Sequence, residues 1–213
     1  MKTSIKTLFA AALTLVVLTS SAFASSDVKS NNFTVLNQVK NITKLEVKGN
    51  VDVILVQAST ESVKVNDSYY SKNALVQEKD GVLRISSFEK ERLTVTVYVR
   101  NLASIEAADN ATVNTFGKMS FLSLDVILKD KATANIDATT INLYTSIKDN
   151  ASLILSGATT EHYAILGSQA KMSMEQFTAD STTVNTIAPV YAKVNVARHA
   201  VNNFPTADAE VVK

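Results

Sequence analysis

The chain has 213 residues, of which 46% are hydrophobic, and its 21 Lys and Arg nearly balance its 20 Asp and Glu. Since the two signs alternate and form no basic stripe, we expect binding neither to nucleic acid nor to an anionic membrane surface. The absence of cysteine excludes disulfides, thiolate metal sites and a cysteine nucleophile.

Residues 1–24 are typical of a secretory signal peptide. Lys2 and Lys6 give a positive start, an apolar run covers residues 8–18, and Ala-Phe-Ala at 22–24 is a small-x-small cleavage pattern. The run is shorter than the roughly 20 residues of a membrane helix, which makes a signal anchor the less favoured alternative. We therefore expect an exported protein, in the periplasm, on the cell surface or secreted, that is not an integral membrane protein.

The rest of the chain is predicted to be one all-β domain with two short flanks. Residues 25–32 are polar, and we expect a flexible leader there. From residue 33 to 198, Val, Ile, Thr and Tyr are abundant, and apolar residues alternate with polar ones, which is typical of half-buried strands. Residues 199–213 follow neither pattern clearly and are assigned to a C-terminal tail.

The first part of this domain, up to Asn101, is expected to be antiparallel and rich in β-strands. Alternating apolar residues mark strands at 45–55, with a bend at Gly49-Asn50, and at 93–99. Asp80-Gly81 separates two apolar stretches and predicts a hairpin, because this dipeptide tolerates the positive φ angles of a tight turn.

A short sequence motif, which we call the corner motif, then recurs about every 20 residues. Its clearest copies are Lys129–Ile136 and Lys148–Leu155, and weaker ones begin at Ala108 and Gly167. The alanines of the four copies define one column: Ala111, Ala132, Ala151 and Ala170. Self-similarity at this period is typical of a solenoid, in which each repeat buries its apolar face against its neighbours.

Each repeat is predicted to form two short strands with a bend at the recurring motif, and such repeats make a β-solenoid of about five coils. A β-sandwich with hairpins of equal length is the alternative. Before each corner, the inward rows are Leu122, Leu124, Val126, Leu128 and Ile141, Leu143, Thr145, Ile147. After each corner, they are Ala132, Ala134, Ile136; Ala151, Leu153, Leu155; and Ala170, Met172, Met174, with a fifth copy at Ala192, Val194, Val196. The expected outward residues are Ser123, Asp125, Asn142, Tyr144 and Ser146.

Three further sequence motifs precede the corners. Leu45–Leu55 holds a Gly before Val-Asp-Val, Asp80–Ile85 reads Asp-Gly-x-Leu-x-Ile, and Leu102–Ile105 reads Leu-x-x-Ile. With the small-residue corners that follow about every 20 residues, the chain resembles the bacterial head GIN domain family, named as auto-transporter adhesins and formerly as a domain of unknown function.

The corners depart from the Gly-Ser-Gly usual in that family. In their place stand Asp109-Asn110-Ala111, Asp130-Lys131-Ala132, Asp149-Asn150-Ala151 and Ser168-Gln169-Ala170. After Gly, Asn and Asp accept a left-handed turn conformation best, so the exchange is physically reasonable. The resemblance, over about residues 33–196, implies a right-handed β-helix-like fold in an exported or surface protein. It supplies no family-wide catalytic residues.

The sequence offers little for catalysis. His162 and His199 are far apart, and we interpret both as solvated surface residues. There is no Gly-x-Ser-x-Gly elbow, no phosphate-binding glycine loop and no His-Glu-x-x-His motif. A carbohydrate-active enzyme of β-helix type would need carboxylates clustered on adjacent coils, whereas Asp125 and Asp137 are isolated among the outward residues. We therefore expect no catalytic residues, no enzyme activity and no cofactor.

The corner aspartates are the weak candidate for a metal site. If the corners stack, Asp109, Asp130 and Asp149 form a column whose oxygens suit Ca²⁺. Two charges about 5 Å apart in water repel by only about 1 kcal/mol, so the column needs no cation. We favour the interpretation of these residues as turn formers.

These features favour an exported, non-enzymatic protein with adhesin-like binding to an extracellular glycan or an envelope protein. Two alternatives remain open: a structural or envelope-stress component that binds an envelope partner, and a carbohydrate-active enzyme.

Overall fold

The computed structural model describes residues 33–36, 39–66 and 74–187, and in these ranges the chain is all-β, without a helix. Fourteen strands form one curled, half-barrel mixed sheet. The strands are β1 Phe33–Leu36, β2 Lys44–Gly49, β3 Val51–Gln57, β4 Ser62–Asn66, β5 Ala74–Lys79, β6 Val82–Ser87, β7 Leu93–Val99, β8 Ser104–Ala107, β9 Thr112–Thr115, β10 Met119–Ser120, β11 Ser123–Leu128, β12 Thr133–Ile147, β13 Ser152–Gly167 and β14 Lys171–Ile187.

The centre of the sheet consists of parallel strands in two arms. The first arm contains β7, β3, β9 and the leading halves of β12, β13 and β14. The second arm contains β6, β2, β8, β11 and the trailing halves of the same three long strands. Since β12 and β13 each run through both arms, the two arms share one continuous register.

The N-terminal part belongs to the same parallel arrangement. β2 lies between β6 and β8, and β3 lies between β7 and β9, so β6 and β7 are placed on the far side of strands that precede them. Antiparallel pairing in the described ranges is confined to β1 with β4, β4 with β7, and β5 with β6. The expected antiparallel N-terminal region is therefore confirmed for β1, β4 and β5 and wrong for β2 and β3, and the hairpin at Asp80-Gly81 is confirmed.

The predicted inward rows form most of the core. Leu124, Val126 and Leu128 have no exposed surface, and Ala132, Ala134 and Ile136 are exposed by 4% or less. Ala151, Leu153 and Leu155 are equally well buried. In the last row, Ala170, Met172 and Met174 are only half-buried, because β14 pairs with β13 alone in the described part of the sheet.

Three predicted orientations are wrong. Leu122 and Ile141 are 69% and 49% exposed, because the strands bend there: Ile141 and Asn142 both face solvent, which interrupts the alternation. Ser146 is buried, contrary to its expected outward position. Its register partners are Ile127 and Ile165, whose larger side chains flank the small hydroxymethyl group.

Buried threonines fill the inner side of the bend. The Thr140 hydroxyl donates to Thr159 Oγ1 at 2.8 Å, and the Thr159 hydroxyl lies 3.1 Å from the carbonyl oxygen of Ile141. These bonds satisfy polar groups that burial would otherwise leave unpaired.

The predicted fifth copy at Ala192, Val194 and Val196 lies outside the described residues, as do segments 1–24, 25–32 and 199–213.

The corners between the two arms are tight turns with positive φ at aspartate. Asp109, Asp130 and Asp149 have φ of 61°, 58° and 55°. In each turn the N–H of the following Ala donates to the carbonyl three residues earlier, at 3.0–3.2 Å. The prediction that Asp replaces Gly as the left-handed residue is confirmed, whereas Ser168, in the last corner, is not among the residues with positive φ.

The same aspartates link one corner to the next. The backbone N–H of Gly49 donates to Asp109 Oδ2 at 3.1 Å, and that of Asp109 donates to Asp130 Oδ2 at 3.2 Å. The N–H of Asp130 donates in turn to Asp149 Oδ2 at 3.2 Å. Each carboxylate therefore pairs a backbone N–H of the neighbouring corner, and we call this chain of bonds the corner ladder.

Replacement of Asp130 separates the two roles of a corner residue. Asp130→Asn keeps an acceptor and tolerates positive φ, so the free energy of unfolding should stay close to that of the wild type. Asp130→Gly loses only the acceptor and should cost about 0.5–1 kcal/mol, whereas Asp130→Ala also acquires backbone strain and should cost about 2 kcal/mol. Urea unfolding measures the order.

Lys131→Ala is the matched control, since Lys131 is exposed in the same turn without positive φ. A stability of Asp130→Ala equal to that of Asp130→Asn would contradict the corner-ladder account.

Candidate functional site: a tyrosine groove on the second arm

The outer face of the second arm carries two rows of side chains set by the parallel register. One row is Ser123, Asn142, Glu161 and Ser181, and the next is Asp125, Tyr144, Tyr163 and Thr183. Because neighbouring strands are about 4.8 Å apart, each row places its side chains at regular short intervals. Ser123, Asp125, Asn142 and Tyr144 face outward as predicted.

A stacked tyrosine pair is the most prominent feature of this face. The rings of Tyr144 and Tyr163 are nearly parallel, with a 10° interplanar angle and centroids 5.9 Å apart. The Asn185 amide donates to the Tyr163 hydroxyl oxygen at 2.7 Å. Stacking and this hydrogen bond hold the aromatic pair in one arrangement, although 43% of Tyr163 remains exposed.

A groove of about 390 Å³ surrounds the pair and crosses β11, β12, β13 and β14. We call it the tyrosine groove. Its lining consists of Ser123, Asp125, Asn142, Leu143, Tyr144, Glu161, His162, Tyr163, Ser181 and Thr183. Asp125 and Glu161 are its charged members, so among the residues that the structure describes the lining has two carboxylates and no Lys or Arg.

His162 lies beneath the groove and is buried, with 3% exposure, so its interpretation as a solvated surface residue is wrong. Its Nε2 is hydrogen-bonded with Thr145 Oγ1 at 3.0 Å, and its ring meets Phe177 edge to face at 5.4 Å. Burial lowers the pKa of His162, because the charged imidazolium is poorly solvated there. The second predicted surface histidine, His199, lies outside the described residues.

A cluster of ion pairs occupies the same arm, on β8, β2 and β6, two or more strands from the tyrosines. The Lys44 ammonium lies 3.0 Å from Glu46 and 2.8 Å from Glu106, and Arg84 lies 3.0 Å from Glu46. Hydrogen bonds to Glu106 and Glu46 raise the pKa of Lys44. Partial burial would raise the pKa of Glu46, but Lys44 and Arg84 outweigh it, and the net change is downward. These charges satisfy one another.

The predicted acidic residues are distributed over different surfaces. Asp125 lies in the groove together with Glu161, a proximity that the sequence did not predict. Asp137 lies on β12, two positions after Asn135, which pairs with β9 in the first arm. The corner aspartates lie between the arms, and one oxygen of each accepts a backbone N–H. Within the described ranges, no three His, Cys, Asp or Glu are grouped to hold a metal. The absence of a metal site stays a prediction, with calcium at the corners as its less favoured alternative.

The fold and the groove define an all-β protein whose mixed, largely parallel sheet carries a polar groove on its outer face. A family model for "Putative auto-transporter adhesin, head GIN domain" matches residues 41–202, and the chain belongs to this family. The resemblance inferred from the motifs is thereby confirmed. No curated protein matches the chain.

Solved structures show the same fold at low sequence identity. A "putative adhesin" from Bacteroides fragilis has a TM-score of 0.60 and 15% identity, over 72% of this chain and 75% of that one. A "putative adhesin" from Parabacteroides distasonis has a TM-score of 0.56 and 14% identity, over 72% and 77%. A "putative lipid binding protein" from the same species reaches 0.57 at 8% identity, over the same shares. In the described ranges no helix could cross a membrane.

The buried His162 should make stability depend on pH. Its folded pKa lies below the ordinary value of about 6.5, so on acidification the unfolded chain takes up this proton first. The contribution is therefore fully present above about pH 6.5 and decreases as the pH falls toward the folded pKa. Urea unfolding between pH 7.5 and 5 should show a steeper loss in the wild type than in His162→Gln.

Thr145→Ser, which keeps the hydroxyl partner and the histidine, is the control and should retain the wild-type slope. Equal slopes for His162→Gln and the wild type would show that His162 titrates normally in the folded protein.

Proposed function

We propose that the protein is exported and acts, without catalysis, as an adhesin-like binder of an extracellular glycan or protein at the cell envelope. The observation that carries the proposal is the tyrosine groove: an aromatic pair, held rigid and half exposed, inside a polar concavity. Tyrosine offers a large contact area with few rotatable bonds, so little conformational entropy is lost when a partner binds.

The scaffold supports a binding role. Parallel register repeats similar groups along one face, which suits multivalent contact with an extended partner. We further infer that the two arms wind as a right-handed β-solenoid of about five coils. The repeated corner turns and the shared register of β12 and β13 support this winding.

Export is supported by residues 1–24, with their positive start, apolar run and Ala-Phe-Ala, and by a family described as auto-transporter adhesins. A catalytic role is disfavoured because the histidine nearest the groove is buried and bonded to Thr145. The non-enzymatic assignment is tested by incubating the purified protein with polysaccharides, where turnover would contradict it.

Binding is tested with the chain from Ser25 onward, displayed as a multimer on glycan arrays and on immobilised envelope fractions. We expect specific binding that the double variant Tyr144→Ala/Tyr163→Ala reduces at least tenfold. Tyr98→Ala is the matched control, because Tyr98 is a half-buried outward tyrosine of the first arm, beside Lys64.

Absence of any glycan or protein partner would contradict the adhesin-like role. Binding that Tyr98→Ala reduces as much as the double variant would move the binding surface away from the groove.

Export has its own test, by cell fractionation. The protein should be recovered outside the cytoplasm with Ser25 at its N-terminus, because the apolar run directs secretion and Ala-Phe-Ala is cleaved. Deletion of the segment 2–24 should retain the protein in the cytoplasm. Mass spectrometry of the N-terminus measures the cleavage, and recovery of an uncleaved chain in the membrane fraction would indicate a signal anchor.

A further inference from the structure

We propose that the tyrosine groove binds a neutral or amine-bearing glycan and rejects acidic polysaccharides. This inference rests on the proposed binding function and specifies the ligand class and the side chains that select it. The selecting groups are the stacked tyrosines and the two groove carboxylates, Asp125 and Glu161.

The charge of the groove is one-sided. Asp125 and Glu161 line it, and within ranges 33–36, 39–66 and 74–187 no Lys or Arg does. Lys44 lies in the Asp125 row two strands away, about 10 Å by strand spacing. Its ammonium already pairs with Glu46 and Glu106, and ordinary salt screens what remains at that distance. A uronate or sulfate in the groove would therefore be repelled, and an amine attracted.

The geometry of the aromatic pair suits sugar rings. Because Tyr144 and Tyr163 stack on each other, each has one ring face directed along the row toward a shorter neighbour, Asp125 or Thr183. Space is thus left beside both outer ring faces. An aromatic face is electronegative and attracts the weakly positive C–H groups that a sugar ring presents on its flat side. Each outer face can therefore support one sugar unit.

The polar groups around the pair match sugar hydroxyls. The Tyr163 oxygen accepts the Asn185 amide proton, which leaves the phenolic O–H free to donate to a ligand. The carboxylates of Asp125 and Glu161 accept hydrogen bonds from hydroxyls, and such charge-assisted bonds are the stronger kind. Donors and acceptors thus surround the aromatic pair.

Size and polarity also favour a glycan over a peptide. The groove crosses four strands, about 14 Å, which accommodates a short oligosaccharide. Its volume is within the range of small-ligand sites, yet Leu143 is the single aliphatic residue of the lining. A peptide would need apolar pockets for its side chains, and the described lining residues include no aliphatic side chain other than the buried Leu143.

The test compares three probe classes on the chain from Ser25 onward by isothermal titration calorimetry: chitin oligomers as neutral glycans, chitosan oligomers as amine-bearing ones, and oligogalacturonate as an acidic one. We expect binding of the first two and none of the third. Tyr163→Ala should weaken binding of the neutral probe at least tenfold, and Tyr163→Phe, which loses only the hydroxyl, should weaken it several-fold.

Glu161→Gln tests the charge separately. It should weaken chitosan binding more than chitin binding and reduce the exclusion of oligogalacturonate. Tyr98→Ala is again the control and should leave all three affinities unchanged. Unfolding midpoints verify that each variant is folded; Tyr163→Phe and Glu161→Gln keep the fold testable if Tyr163→Ala is unstable.

The possible failures are distinguishable. If the wild type binds no glycan or protein at all, the proposed function and this inference fail together. If it binds oligogalacturonate, or a protein of the envelope fractions used above, with dependence on Tyr163, the binding function holds and the ligand class is wrong. If Tyr163→Ala and Tyr163→Phe bind chitin or chitosan as tightly as the wild type does, the binding function holds and the groove is not the site.

Discussion

The corner turn is the constraint on which the rest of the molecule depends. At the three aspartate corners one residue adopts positive φ, and the chain must re-enter the sheet in register with the strand beside it. Asp109, Asp130 and Asp149 meet both demands, because each tolerates the left-handed conformation and each carboxylate accepts the backbone N–H of the neighbouring corner. A slip of one residue would place the inward row outside, so the corners determine both the core and the outer face.

The sequence predicted those parts of the fold that repeat. The alanine column, the inward rows and the left-handed aspartates all follow from two patterns. One is the regular recurrence of the corner motif, and the other is the alternation of apolar and polar residues along each strand. The prediction was wrong where neighbours are not set by that regularity. Nothing in the order of the chain indicates that β6 and β7 pair outside β2 and β3. Leu122 and Ile141 are apolar yet exposed, because the strands bend at a buried threonine pair.

The sequence analysis predicted only part of the groove, although the spacing between the corners already determines which residues lie side by side. Tyr144 and Asp125 are predicted to face outward, and the spacing between the corners carries Asp125 to Tyr144 and Tyr144 to Tyr163. The same step carries the inward Leu143 to His162, which explains why this histidine is buried. The step fails at β14, where the register shifts near Ile154, so Thr183 rather than Thr182 lies beside Tyr163. An irregularity of this kind leaves no pattern in a single sequence.

Regular register also explains why this surface suits binding better than catalysis. Glycoside hydrolysis needs two carboxyl groups within about 5–9.5 Å of each other, on opposite sides of one bond. Asp125 and Glu161 have Cα atoms about 12 Å apart, and both side chains project from the same face of the sheet rather than from two sides of one bond. The line between them passes over β12, between Asn142 and Tyr144. A sheet that repeats like groups at equal intervals holds an extended partner at many points, whereas catalysis requires unlike groups to converge on one atom.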